Sequence, residues 1–172
     1  MDLSQNVPVT AVSPPGPPGT YGSLVAVGDR GFSTDESSDS RFFFLVLSLS
    51  DLSVEAQAVS TSCSDVPSAV QPYAGIHDHF LIFISIGQIT GNLPQGDLHT
   101  FLSNAGAGRV LAGLEQTISQ LGTGYFVYYT YALGATLDDG DLPGFEGGGL
   151  GDTTTLNFSF MPVDGGYAPV SL

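Results

Sequence analysis

Two oily runs, Phe42 to Ser50 (FFFLVLSLS) and Phe80 to Ile86 (FLIFISI), constrain this chain more than any other feature. Neither alternates apolar with polar residues, the pattern expected of strands buried on both faces. Both are far shorter than the roughly 20 apolar residues a helix needs to cross a bilayer. Each therefore predicts a central strand covered on both sides. Asp51-Leu52 with flanking serines reads as a turn, and Val54 to Thr61 as a returning strand. There Val54, Ala56 and Ala58 share one face, while Glu55 and Gln57 look to solvent. Ser62 to Pro72 carries a short helix at most, with Ser64 as candidate N-cap and Pro67 in its first turn.

Two helical patterns follow the Gly87 to Gly96 loop. Asp97 reads as the cap of a first helix with Leu98, Phe101 and Leu102 on one face. Asn104-Ala105-Gly106-Ala107-Gly108 interrupts it. A second helix runs to about Gln120, with Leu111, Leu114, Ile118 and Leu121 as an apolar stripe and Gly122 as its stop. The stripe predicts packing on the sheet. Tyr21 to Val27 reads as a first short strand, Gly28-Asp29-Arg30-Gly31 as a turn, and Ser33 to Ser40 as an acidic loop. Tyr125 to Leu133 reads as a strand with Tyr125, Val127, Tyr129 and Tyr131 on one face and Phe126, Tyr128 and Thr130 on the other. Asp138 to Gly151 reads as a flexible, acidic, glycine-rich loop. Thr153 to Met161 reads as the last strand, at a sheet edge, with Leu156, Phe158 and Phe160 inward, followed by a second tail.

At the other end, Pro8, Pro14, Pro15, Pro17 and Pro18 impose extended geometry on residues 1–19. They predict an arm, either a semi-rigid linker or a segment ordered on a neighbouring subunit. Strands and helices are mixed without strict alternation, which excludes a doubly wound sheet. The expected fold is α+β: a compact β–β–α sandwich with a mixed or antiparallel sheet core, two short helices packed on it, and irregular N- and C-terminal tails. The expected division is an arm at 1–19, an α+β domain at 20–137, a glycine-rich acidic loop at 138–152, and a terminal strand and tail at 153–172. A length of 172 residues suits one domain with modest tails.

Charge narrows the partners. Arg30, Arg41 and Arg109 are the only strong bases, against 17 carboxylates, for a formal charge of -14. Such a surface repels phosphate, which disfavours nucleic acid and anionic membranes. Cys63 is the only cysteine, so no intrachain disulfide can form. The opening MDLSQNVPVTAVSPPGPPG has no basic region followed by an apolar run and does not read as a signal peptide.

The chemical candidates are few. Asp35, Glu36 and Asp39 lack the glycine and the spacing of a calcium loop and read as solvated. His77 and His79, at i and i+2, would share a direction on a strand, and His99 could complete a metal site if its helix passes nearby. The plainer reading is a polar strand entrance, and no metal is assigned. Ser85 or Cys63 could be set beside a histidine as a nucleophile, but neither lies in a recognisable nucleophile motif. GFEGGGLGD lacks the lysine of a phosphate loop. The tyrosines at 125, 128, 129 and 131 are either core or a surface for stacking on sugars or proteins, and a central strand would make them core. No catalytic residue and no cofactor is assigned.

The order of FFFLVLSLSDLSVEAQAVST, DHFLIFISIG, LAGLEQTISQLG and GYFVYYTYALGA, over residues 41–135, resembles the GG domain of the interleukin-like EMT inducer (ILEI/PANDER) family. The chain departs from that pattern in three places. Its turn, Asp51-Leu52-Ser53, lacks the glycine, the NAGAG segment is extra, and the paired cysteines of the secreted animal members are absent. The resemblance implies a compact module that binds partners or carbohydrate and has no chemistry of its own. The expected function is a non-enzymatic structural or binding component of a larger assembly, a phage virion protein of head decoration or tail, joined to other subunits through the N-terminal arm. The alternatives are a carbohydrate- or cell-surface-binding module and, third, a small metal-dependent hydrolase. The expected location is the virion, otherwise the cytoplasm or the exterior.

Overall fold

The computed structural model describes residues 5–16, 24–34, 40–122, 126–138 and 142–171. The first sheet has the spatial order β11 (Gly166–Ser171), β10 (Thr154–Val163), β1 (Val7–Ser13), β2 (Val25–Val27), β3 (Arg30–Phe32). The second has the order β5 (Val54–Ser60), β4 (Arg41–Ser48), β6 (His79–Ile86), β8 (Tyr128–Thr136). Two-residue β7 (Gln88–Ile89) extends the β6 side of β8, and β9 (Phe145–Leu150) pairs along its other side. The pairings are antiparallel. Helices α1 (Gly96–Asn104) and α2 (Arg109–Leu121) complete an α+β fold.

The two oily runs pair with each other in the middle of the second sheet. Phe44 lies opposite Phe83 and Phe43 opposite Ile84, and every residue of β4 is buried. The lack of alternation follows from what covers each face. Phe43, Leu45, Leu47, Phe80, Ile82 and Ile84 share one cluster with Val9 of β1, Val25 of β2, and Phe158 and Phe160 of β10. Phe42, Phe44, Val46, Leu81 and Phe83 share the other with Leu98, Phe101, Leu102, Leu111 and Leu114 of the helices. The leucine stripe thus packs on the central strands, although Ile118 and Leu121, at its far end, are only half-buried. Each fully buried Phe or Leu contributes about 1.5–3 kcal/mol relative to exposure.

The β4–β5 hairpin forms, with a register shift between Val46 and Leu47. Val54, expected to share a face with Ala56 and Ala58, does not: the shift sets Ala56 opposite Val46 and Val54 opposite Leu47, which face different layers, and Val54 is 41% exposed. In the turn, Leu52 adopts a left-handed conformation (φ 59) with its side chain buried. That conformation costs a non-glycine residue about 1–2 kcal/mol. Burial of the isobutyl group offsets it, and Arg30 Nη2 donates to the Leu52 carbonyl at 2.7 Å. This is how the turn forms without a glycine.

Four terminal or loop expectations are corrected. Residues 7–13 of the expected arm form β1, an inner strand paired with β10 on one side and β2 on the other, so their order comes from their own chain. Pro8 is tolerated because N and O of one residue point to the same side of a strand. The Pro8 oxygen accepts from Gly28 N, at the end of β2, so the missing N–H removes nothing from the β10 ladder. Residues 145–150 of the expected glycine-rich loop form β9. Strand β10 lies between β11 and β1 rather than at an edge, because the expected C-terminal tail supplies β11 outside it. Arg30 and Gly31, expected in a turn, begin β3.

Smaller differences concern ends. The connection after β5 contains only a 3-10 turn, Gln71–Tyr73. Helix α1 starts at Gly96 with Gln95 as N-cap, so Asp97 lies in its first turn rather than at the cap. Gly122 ends α2 at φ 78, as the glycine predicts. Tyr21 to Ser23 and Tyr125, assigned above to strands, lie outside the described residues.

Candidate functional site

The residues weighed for chemistry are dispersed, and most have structural partners. His77 stands in the turn before β6 and His79 is its first residue, so the two do not share a strand face. His79 Nδ1 lies 2.7 Å from Asp78 Oδ1 and its ring packs against Tyr73. His99, on α1, pairs instead with Glu115 of α2 at 3.0 Å. Among the described residues no group of three or more His, Cys, Asp or Glu could hold a metal ion. Asp35, Glu36 and Asp39 lie outside those residues. Cys63 Sγ accepts a hydrogen bond from Gln95 Nε2 at 3.1 Å, in the segment that docks the start of α1.

Ser85 is fully buried and serves the backbone. The β6–β8 ladder ends at Ile84 and Ala132, and one residue further the two strands part. Ser13, at the end of β1, fills the opening. Its hydroxyl donates to Ser85 O at 2.6 Å, and the hydroxyls of Ser13 and Ser85 both accept from Tyr131 N, at 3.0 and 2.9 Å. A buried N–H that would otherwise lose its ladder partner is satisfied.

The carboxylate with the richest contacts is one the sequence did not single out. Glu146, on β9, accepts from Gly108 N at 3.0 Å, Val110 N at 3.1 Å and Leu111 N at 3.4 Å, the free amides that open α2. Tyr131 Oη donates to it at 2.7 Å. Helix α2 has Gly108 at its N-cap and no side-chain cap of its own. A carboxylate across the fold takes that role and complements the positive end of the helix. The one available hint was a helix lacking Ser, Thr, Asp or Asn at its start.

The tyrosines divide by face. Tyr129 and Tyr131 are buried under the helices, and Tyr129 Oη donates to Asn92 O at 3.0 Å. Burial holds both phenols well above their ordinary pKa, with the Glu146 hydrogen bond adding to the effect at Tyr131. Phe126 and Tyr128, by contrast, stand in solvent at 77% and 47% exposure. The backbone beneath them is fixed from both sides. Val127 O accepts from Thr90 N, and Tyr128 O accepts from Gly151 N, each at 2.9 Å. Two aromatic side chains are therefore presented to solvent where the backbone of the second sheet is pinned. Such a surface can stack on an apolar or ring-shaped partner without ordering the chain beneath it.

No helix among the described residues is long and apolar enough to cross a membrane. Comparison of the sequence with protein-family models and with curated proteins finds no match.

Proposed function

We propose that this protein is a non-enzymatic binding component of a larger assembly, a β–β–α sandwich that engages a partner through the aromatic entry to β8. The observation that carries this reading is the exposure of Tyr128, on a backbone hydrogen-bonded from both sides, and of Phe126 just before it. A large aromatic on a fixed surface is characteristic of interaction sites, because it supplies contact area at small entropic cost. The interior polar groups support the same view, since Ser13, Ser85, Tyr131 and Glu146 are engaged in holding the fold. The resemblance to the GG domain of the interleukin-like EMT inducer family agrees with a module of this kind. The proposed assembly is a virion, at the head surface or tail. With β1 paired inside its own sheet, attachment through the exposed aromatics replaces attachment through residues 7–13.

Mass measurement on the native protein over a rising concentration series tests the proposal. The wild-type chain is expected to form higher-mass species that a Phe126→Ser, Tyr128→Ser double variant does not form. Identical masses for both proteins at every concentration remove the aromatic entry as the attachment surface. The same two rings favour one second reading, stacking on a sugar. A glycan array probed with both proteins separates the two, since only a carbohydrate-binding module shows signal that the double variant loses.

A further inference from the structure

A cleft of about 390 Å³ runs between α1 and the segment that precedes β6. Phe101 and Val66 form its apolar lining, each almost wholly buried. Asp97, Thr100 and Asn104 follow one face of α1 along its rim, a stripe of about 10 Å at 1.5 Å per residue. Gln71 and Ala74 form the facing wall.

Every polar side chain on this rim offers an acceptor, and the one charge along it is negative. Thr100 Oγ1 already donates its proton to Gly96 O, which leaves the hydroxyl oxygen only to accept. Gln71 Nε2 spends one N–H on Val66 O, which holds the amide in place with its Oε1 as an acceptor. Asp97 offers a carboxylate, and Asn104 adds a side-chain amide, oxygen acceptor and N–H donors together, at the C-terminal, negative end of α1. None of the lining residues is basic. A groove with an apolar floor and acceptors spaced along its edge suits a long side chain with an apolar stem and several donors at its tip. The guanidinium group, with five N–H donors on a planar fork, fits that description better than a point-like ammonium.

The geometry points to this cleft as the seat of an arginine side chain from a basic segment of a partner protein. Overall charge argues the same way: a chain at -14 with no lysine attracts a basic partner and repels an acidic one. The inference is independent of the aromatic entry to β8, and its test does not involve Phe126 or Tyr128.

The probe is the blocked tripeptide acetyl-Gly-Arg-Gly-amide, titrated at low salt into the full chain and followed by amide chemical shifts. Saturable shifts confined to Gln71 and residues 97–104 are expected, with the neutral citrulline analogue at least about tenfold weaker. Asp97→Asn should weaken the peptide about fivefold. Asp164→Asn, which removes the same charge from the exposed turn between β10 and β11, should leave it unchanged. Shifts scattered over the acidic surface, equal losses in the two variants, or equal binding of the citrulline analogue would each overturn the assignment. So would spermidine displacing the peptide from the same residues at lower concentration, which would make the cleft a site for free polyamines.

Discussion

The two faces of the second sheet are built on different principles. The face toward the first sheet is dominated by hydrocarbon: Phe43, Leu45, Leu47, Phe80, Ile82 and Ile84 meet Phe158, Phe160, Leu156 and the valines of β1 and β2. The face toward the helices carries similar hydrocarbon but adds two phenols of β8 itself, whose hydrogen bonds tie it to groups outside the cluster. Tyr129 reaches the Asn92 carbonyl, and Tyr131 reaches Glu146, which in turn holds the start of α2. Apolar packing is enough where strands of the two sheets share one cluster, because their backbone groups are paired within the sheets. A short helix has free amides at its start and needs a polar partner as well as an apolar stripe. The helix layer should therefore respond to the ionisation of a few groups, and the sheet layer to volume.

The largest expected effect separates the faces by pH. Tyr129 and Tyr131 have phenol pKa values raised in the folded protein by burial. Above pH 10, near the phenol's ordinary value, the unfolded chain releases these two protons and the folded chain keeps them. The folded state then binds more protons than the unfolded, so stability falls as pH rises. It is fully present below pH 10. Two such groups lose roughly 5 kcal/mol by pH 12, at about 1.36 kcal/mol per unit each. Urea unfolding at pH 9, 10.5 and 12 should show this slope, and a Tyr129→Phe, Tyr131→Phe variant should show a much flatter one. A wild-type protein equally stable at pH 9 and 12 would mean that the helix side is open to water, and the contrast between the faces would fail.

On the sheet side the sensitive variable is volume. The Phe158 ring lies 5.3 Å from that of Phe80, 5.1 Å from Phe145 and 5.7 Å from Phe160. A Cβ placed on Gly134 would sit 2.8 Å from it. Phe158→Ala should cost about 3–5 kcal/mol in urea unfolding, with no change in the alkaline slope. A cost below about 1 kcal/mol would show that the layers can close over the gap and are less tightly matched than their packing implies.

The same contrast explains how much of the molecule could be read in advance. Strands β4 and β6 were legible because burial on both faces writes an unbroken apolar run, and the α2 stripe because one face of a helix meets the sheet. Strand β1 alternates Val7, Val9, Ala11, but Pro8 and the prolines beyond it read as an arm. What makes Pro8 acceptable is that its own carbonyl, and so its missing N–H, faces Gly28 at the end of β2 rather than β10. In β9 the glycines read as a loop. Two of them are there because the strand lies close against its neighbours: a Cβ on Gly148 would come 2.8 Å from Thr130 O and 3.0 Å from Leu114 Cδ1, and one on Gly147 2.9 Å from Thr154 Cγ2, whereas one on Gly149 would meet nothing. Local sequence cannot distinguish glycine chosen for freedom from glycine chosen for proximity. The aromatic entry was only half legible, since Tyr128 and Tyr129 are neighbours in sequence and only the sheet assigns one to solvent and one to the core.

The smallest of the three effects tests the link between β9 and α2. Glu146→Gln keeps the size of the side chain and removes its charge. One amide oxygen can still accept from an α2 amide and from Tyr131, but the second acceptor becomes a donor facing N–H groups. Charge-assisted hydrogen bonds of this kind contribute about 1.5–3 kcal/mol each in the most favourable settings, and this carboxylate is partly exposed, so a net loss of about 2 kcal/mol is expected. The loss should be local. Hydrogen exchange at Val110 and Leu111 should accelerate, while amides of β1 and β10 follow global unfolding only. Equal acceleration in both layers would show that α2 does not open by itself and that the polar latch is part of one cooperative core. Unchanged exchange at Val110 and Leu111 would show instead that Leu111 and Leu114 hold the helix unaided, and the helix face would then rest on the same principle as the face between the sheets.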